Sequence, residues 1–390
     1  MIKLKKVLSD FNFDNKRVIL RCDLNVPITN GIIEDDTRII ESLKTIKYLI
    51  DKNAKVIILS HLGRVKTEED KKDNSLYPVY LRLRDLLGDN VCFSKYTSGN
   101  KLKELVNTLR TGEILLVENT RFEDIDGKKE SSCDLELSKY WASLGDIFVN
   151  DAYGVCHRSH ASNVGISKFL PSCLGLLVEE EIEKIDGIIK ENTSPYILLM
   201  GGKKISDKTL VIESLIEKCD YILLGGGMCF TFLASLGINV GMSIVDKDNI
   251  PFCKEILSKY KDKIILPVDV KLKSEEIKDI DKLTNEDIAY DIGPKTIELF
   301  KKYLSTAHRV VANGPMGVFE EKEFTNGTRE LYNYLSQNSI KTLIGGGDSI
   351  SAINTLHINK NFYHISTGGG ATLEYIAQGT FPAIEAIEDK

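Results

Sequence analysis

The sequence predicts an α/β protein of two domains, each built on a mainly parallel sheet. Short runs rich in Val, Ile and Leu alternate with amphipathic segments almost to the C-terminus. Most of these runs are apolar throughout, as strands buried on both faces require. The chain has 390 residues, 42% of them hydrophobic, more than one ordinary core organises.

In the first half, strands are expected near Val18–Asp23, Lys55–Ser60, Glu113–Val117 and Asp146–Asn150. In the second half they are expected near Tyr196–Met200, Tyr221–Leu224, Lys263–Val268, Arg309–Ala312, Lys341–Ile344 and Phe362–Ser366. Helical spacing lies between them: Leu43, Ile46, Leu49 and Ile50 share one face, as do Ile297, Phe300 and Leu304. Gly293-Pro294 suits a helix start, with proline in the first turn. The alternation β-α-β-α implies right-handed crossovers. Pro171 ends the first block. Ile182, Ile185, Ile188 and Ile189 then stripe a helix behind the acidic run Glu179-Glu180-Glu181, and Pro195 restarts the strand pattern. The expected division is residues 1–170, a connecting helix over 171–192, and 193–371. Thr372–Gln378 reads as a last helix with Gly379 just past it.

Lys and Arg number 51 against 57 Asp and Glu, a net charge of −6. A nucleic-acid-binding surface would need a basic balance, so no such partner is expected. The eight cysteines are scattered without a C-x-x-C pair, which speaks against a disulfide framework or zinc site and for a reducing compartment. The N-terminus alternates Lys with Ile and Leu before Asp10, without a signal-like apolar core. No apolar run is long enough to span a bilayer. These features point to a cytoplasmic protein with no membrane partner.

Four glycine clusters follow expected strands in the second half: Gly201-Gly202, Gly225-Gly226-Gly227, Gly345-Gly346-Gly347 and Gly368-Gly369-Gly370. Open parallel sheets bind ligands beyond the carboxyl ends of their strands, and glycine lets backbone N–H groups approach a phosphate closely. One such cluster is explained by a tight turn alone; four at equivalent places favour a phosphate-bearing ligand. The first continues as Lys203-Lys204-Ile205-Ser206-Asp207-Lys208. Lys204 and Lys208 are four apart, so on a helix they would share a face and open its N-terminus, where the dipole disfavours cations. An anion between them resolves both conflicts. Asp348-Ser349 ends the third cluster; beside phosphates, Asp348 could hold Mg²⁺ through water. The nicotinamide-dinucleotide and P-loop patterns are both absent.

The first half sets basic groups beyond strand ends. Arg21, Asp23 and Asn25 lie in Arg-Cys-Asp-Leu-Asn-Val-Pro, and Arg38 in Asp-Asp-Thr-Arg-Ile. His61 and Arg64 lie in Ser-His-Leu-Gly-Arg, Arg121 in Glu-Asn-Thr-Arg-Phe, and His157 and Arg158 follow Asn-Asp-Ala-Tyr-Gly-Val-Cys. Arginine suits bidentate contact with phosphate and carboxylate. Each alone reads as a surface ion pair; the set favours a small, multiply anionic substrate. His160 and His364 read as ordinary structural histidines.

On these motifs, together with Gly225–Phe232, Asn313–Glu320 and Ser366–Glu374, the sequence resembles the phosphoglycerate kinase family over essentially its whole length. The resemblance implies two Rossmann-like domains facing a central cleft and joined by the connecting helix, with segment 372–390 packing back near the first. It implies reversible transfer of a phosphoryl group from 1,3-bisphosphoglycerate to ADP, in glycolysis, by a hinge-bending monomer. Asp23, Leu24, Asn25, Arg38, His61, Leu62, Gly63, Arg64, Arg121 and Arg158 would bind the phosphoglycerate. Gly202, Lys204, Lys208, Gly226, Gly293, Asn313, Glu320, Gly346, Gly347, Asp348 and Ser349 would bind ADP or ATP, with Glu320 at the ribose and Asp348 at Mg²⁺. Arg38, Lys204 and Lys208 would act on the moving group. The sequence departs from the family pattern at Lys203, where a small Ala is usual, and at Val65, Ala312 and Ser349, where Pro, Trp and Thr are commoner. None of these removes a charge that the chemistry needs.

Overall fold

The computed structural model describes residues 4–390; Met1–Lys3, part of the N-terminal alternation, lie outside the described residues. The chain divides into two compact units: residues up to Ile182 with Thr380–Lys390, and Glu183–Gly379.

The first unit is a six-stranded, all-parallel sheet. Its strands are β1 (Arg17–Cys22), β2 (Lys55–Leu59), β3 (Val91–Ser94), β4 (Ile114–Val117), β5 (Ile147–Asp151) and β6 (Ser172–Leu174), in the order β3-β4-β2-β1-β5-β6. Arg21 pairs in register with Leu59 on one side and Asn150 on the other, so the residues after β1, β2 and β5 leave the sheet at one edge. Helix α1 (Thr37–Asp51) turns Ile39, Leu43, Ile46 and Leu49 onto this sheet, against Val18, Leu20, Val56 and Ile58. The C-terminal segment closes the unit: the Lys390 N–H donates to Leu4 O at 2.8 Å, the Lys6 N–H to Glu388 O at 2.9 Å, and Phe381 packs 5.9 Å from Tyr153.

The second unit repeats the plan with β7 (Tyr196–Met200), β8 (Tyr221–Leu224), β9 (Ile264–Ile265), β13 (Arg309–Asn313), β14 (Lys341–Gly345) and β15 (His364–Ile365), ordered β9-β8-β7-β13-β14-β15 and all parallel. A smaller antiparallel sheet holds β10 (Asp269–Leu272), β11 (Ile277–Asp279) and β12 (Ala289–Ile292). Ile297, Phe300 and Leu304 of the helix Pro294–Leu304 enter the main core, as their spacing predicts.

Several expectations are corrected. The strands expected over Lys263–Val268 and Phe362–Ser366 shrink to two residues each; Val268 is 44% exposed, so the apolar run outlasts its burial. β3, β6 and the small antiparallel sheet escaped detection. β3 is a short edge strand with Cys92 exposed, and the antiparallel strands are interrupted by Lys271, Lys278 and Asp279, which are partly exposed. Two-sided apolar runs do not arise under those conditions. The chain passes between units inside one helix, Leu176–Ile189, shorter than the 171–192 expected. Thr380–Lys390 groups with the first unit, against the expected segment 372–390. The helix Gly370–Gln378 stays in the second unit because Ala371, Thr372, Leu373, Tyr375 and Ile376 are buried there beside Thr209–Leu215.

Candidate active site

In the first unit, arginines from three strand ends and one helix start surround His61. Arg21, fully buried near the end of β1, directs its guanidinium toward the imidazole, with Nη2 at 3.5 Å from His61 Nδ1. Arg38, in the first turn of α1, donates to Asn25 O at 2.8 Å and pairs with Asp23 Oδ2 at 3.2 Å. Arg121 follows β4 and is tied to Ser131 Oγ (3.0 Å) and Asp124 Oδ2 (3.4 Å). Arg158 follows β5, is exposed, and donates to His157 Nε2 at 2.9 Å. Burial holds His61 well below its ordinary pKa, and the charges of Arg21, Arg121, Arg38 and Arg158 push the same way. A neutral imidazole therefore sits amid guanidinium groups.

The surrounding turns are fixed by side chains that grip backbone. Ser60 Oγ accepts the Leu24 N–H at 2.9 Å, and Asn25 Oδ1 accepts the Gly63 N–H at 2.8 Å. Gly63 has φ +57°, a conformation that favours glycine. Asn119, which motif reading left unassigned, accepts the Leu62 and Arg121 N–H groups and donates to Leu62 O at 2.7 Å. It thereby fixes the His61–Gly63 turn against the one carrying Arg121. Arg64 is exposed beside that turn.

The second unit contains a cavity of about 720 Å³. Gly202, Lys203, Gly226, Glu320 and Asp348 line it, with apolar walls that include Phe230, Ile244 and Met316. Gly226 has φ +61°, and a Cβ there would lie 2.6 Å from Gly202 N and 2.8 Å from Pro315 O. Two glycine turns are thus packed backbone to backbone, as a close cradle for a ligand requires. Lys208 is buried beside Gly202, and burial lowers its pKa, offset by Asp207 and Asp348. Gly346, Gly347 and Asp348 stand at the N-terminus of the helix Gly347–Thr355, where N–H groups and the helix dipole favour an anion.

One expectation changes here, and three expected residues have distinct surroundings. Lys204 and Lys208 share no helix face: the helix starts at Thr209, and Ile205 turns inward with its carbonyl accepting the Lys208 N–H at 2.8 Å. Lys208 is buried while Lys204 is exposed. Gly293 packs on the Asp269 carboxylate and donates its N–H to Asp269 O at 2.9 Å, next to Ile292 of the cavity wall. Asn313 and Ser349 are buried and turned to backbone. Asn313 Nδ2 donates to Gly345 O, and Ser349 Oγ accepts the Gly314 N–H and donates to Gly345 O, each at 2.7 Å. They shape the turns around the helix start without offering side chains to the cavity. Sequence reading also missed Tyr290, Asp291 and Ile244 of the cavity wall, which belong to no phosphate motif.

Two Rossmann-like units, one with arginines gathered around a buried histidine and one with a glycine-lined cavity, fit an α/β phosphotransferase. The family model for phosphoglycerate kinase matches residues 8–379. The chain is 49% identical over 395 residues to the phosphoglycerate kinase of Macrococcus caseolyticus and 48% identical over 398 residues to that of Fusobacterium nucleatum, in each case across 99% of this chain and the whole of the relative. Solved phosphoglycerate kinases from Coxiella burnetii and Pyrococcus horikoshii superpose with TM-scores of 0.87 and 0.86 at 33% and 34% identity, covering 98% and 97% of this chain and 98% of each of those. The chain belongs to the phosphoglycerate kinase family, a glycolytic kinase family.

Proposed function

We propose that the chain catalyses 1,3-bisphosphoglycerate + ADP ⇌ 3-phosphoglycerate + ATP, with the phosphoglycerate on the first unit and the nucleotide on the second. The observation that carries the reading is the gathering of Arg21, Arg38, Arg121 and Arg158 around one buried, neutral His61. Such a cluster is costly without a multiply charged anion to complete it.

The chemistry makes modest demands. In the ATP-consuming direction the acceptor is a carboxylate with a pKa of about 3.5, already ionised at neutral pH. No general base is required, and neutral His61 is free to donate a hydrogen bond. Catalysis reduces to alignment and to stabilising charge on the moving phosphoryl group. Arg38 is suited to that group: it is partly exposed in a first helical turn, with only one of its terminal nitrogens engaged by Asn25 and Asp23. Lys208, desolvated beside the Gly202 turn, and exposed Lys204 serve from the nucleotide side. Asp23, Leu24, Asn25, Leu62, Gly63 and Arg64 hold the phosphoglycerate; Gly202, Gly226, Glu320, Gly346 and Gly347 hold the nucleotide, with Glu320 at the ribose.

Asp348 fits a role beside Mg²⁺. It is exposed, lines the cavity, and lies close enough to Lys208 to offset that lysine's desolvation. Among the described residues no group of three or more His, Cys, Asp or Glu is placed to hold a metal ion, so Asp348 would act alongside the phosphate oxygens. When bound, Mg²⁺ would neutralise charge on those phosphates. Because the two ligand sets belong to separate units, transfer requires hinge closure, which would also exclude water. No helix among the described residues is long and apolar enough to cross a membrane; the reading is of a cytoplasmic monomer. The decisive experiment is a coupled assay with 3-phosphoglycerate and Mg²⁺, comparing ATP with GTP. Absence of turnover with either nucleotide would refute the reading. Small-angle scattering tests closure: an unchanged radius of gyration with both ligands bound would count against it.

A further inference from the structure

Behind the anion site lies a buried acid that the reaction does not use. Glu130 is fully buried. Its Oε1 accepts the Ser162 hydroxyl at 2.5 Å and its Oε2 accepts the Ser162 N–H at 3.0 Å. As a carboxylate, Glu130 accepts from Ser162 through both of its oxygens. Burial raises the Glu130 pKa, and the Arg21 charge is the largest influence opposing that rise. An uncompensated carboxylate at this depth would cost several kcal/mol, so the partner that keeps it ionised is chemically committed to it.

That partner is reached through Ser162. The Arg21 Nε–H donates to Ser162 Oγ at 2.8 Å, while the same hydroxyl donates to Glu130. The directions are forced, because a guanidinium only donates and a carboxylate only accepts. Arg21 Nη1 is tied to Cys22 O. With two nitrogens fixed, Nη2 is aimed at His61 Nδ1, 3.5 Å away. A proton on Nδ1 would point at a guanidinium N–H, so Nδ1 must carry its lone pair. The other charged groups around the ring are Arg121, Arg38 and Arg158, with Asp23 Oδ1 3.9 Å from Nδ1, beyond hydrogen-bond reach.

We propose that Arg21, held by buried Glu130 through Ser162, is a positioning residue that fixes His61 as the neutral tautomer with its proton on Nε2. His61 then offers an N–H donor to the anionic substrate without adding a further cation to the arginine cluster. Ser162 and Glu130 act through Arg21, at one remove from the substrate. The tautomer follows from the protein's own groups; its consequence for substrate affinity rests on the phosphoglycerate reading above.

The test is imidazole ¹⁵N NMR of the full chain, with His61 assigned by its loss in His61→Gln. The expected wild-type signature is a neutral ring protonated on Nε2 across pH 6–8. A ring protonated on Nδ1, or a cationic ring at pH 7, would overturn the proposal without recourse to variants. Ser162→Ala should mix the tautomers and raise KM for 3-phosphoglycerate about tenfold, with a smaller change in kcat. Ser162→Thr, which keeps the hydroxyl, should restore both. A Ser162→Ala protein with the wild-type ¹⁵N pattern and KM would show that the relay does not operate. Glu130→Gln should behave like Ser162→Ala where circular dichroism shows it folded. If the wild type turned over no 3-phosphoglycerate, the substrate reading would fail while the NMR result still decided the tautomer.

Discussion

Asp151 should make the first unit lose stability as pH rises from 4 to 7. The residue ends β5 and is fully buried. Its Oδ1 accepts the N–H groups of Leu177 (2.9 Å) and Val178 (3.4 Å), the start of the helix that carries the chain into the second unit. Burial raises its pKa from 3.8 to about 6, outweighing the Thr45 hydroxyl and those N–H groups. Between these values the folded state binds a proton that the unfolded state does not, so stability falls with rising pH. The contribution is fully present below 3.8 and lost as pH passes 6. A shift of about 2 units at 1.36 kcal/mol each gives about 3 kcal/mol. His61 and His160 pull the other way: burial and the neighbouring arginines depress both, His160 to about 3, so they favour the folded state as pH rises. Only the difference between wild type and Asp151→Asn isolates the carboxyl, because the amide is neutral throughout. The sole tryptophan, Trp141, is buried in this unit, so its fluorescence reports unfolding there. In urea titrations the variant should gain on the wild type by about 3 kcal/mol between pH 4 and 7, and the gap should level off above 7. Parallel pH profiles for the two proteins, within roughly 0.5 kcal/mol, would refute the assignment.

Arg38→Ala should lower kcat by two to three orders of magnitude, about 3–4 kcal/mol, with little change in KM; steady-state kinetics with a normal kcat would remove Arg38 from the moving phosphoryl group. Gly226→Ala puts a Cβ at positive φ against backbone atoms of Gly202 and Pro315. It should destabilise the second unit by about 2–4 kcal/mol and raise the nucleotide KM, and a wild-type thermal midpoint would show that the turn is not tightly packed. Lys203 is exposed on the cavity wall, and its replacement by Ala should change the KM for nucleotide more than kcat. Running that comparison with ATP and GTP shows whether Lys203 discriminates between bases, and an unchanged KM for both would place it outside the bound nucleotide.

The central parallel strands were legible because burial on both faces writes an uninterrupted apolar run into the chain; the edge strands β3 and β6, of four and three residues, were not. The small antiparallel sheet was not, because Lys271, Lys278 and Asp279 interrupt any such run with solvated groups. Arg21, Arg121 and Arg158 could be read together because each lies at or just past the end of a strand of one parallel sheet, and Arg38 because it opens the helix that follows. Glu130 could not. It sits in Lys-Lys-Glu-Ser-Ser, which reads as a solvated loop, and its meaning comes from Ser162, 32 residues away. The reading of Lys204 and Lys208 failed for a related reason. Helical spacing was assumed where Ile205 prefers the core, and burying that side chain turned the segment before a helix could begin.

The same contrast explains how a chain of net charge −6 sustains a basic site. Its acids are distributed unevenly: Asp23, Asp124 and Glu130 lie at the backs of Arg38, Arg121 and Arg21. Each compensates a guanidinium from the protein side. His61 adds no charge at neutral pH, because protonating it would bring another cation into a desolvated cluster. The result is a set of arginines held in place by acids behind them, with their remaining donors unspent. Shortening one of those acids should therefore weaken substrate binding by letting its arginine relax toward solvent, an effect that for Asp23 adds to any contact of its own with the substrate. The effect should differ between them, because Glu130 is fully buried and Asp23 is 8% exposed. Water can replace part of what Asp23 supplies, but not what Glu130 supplies.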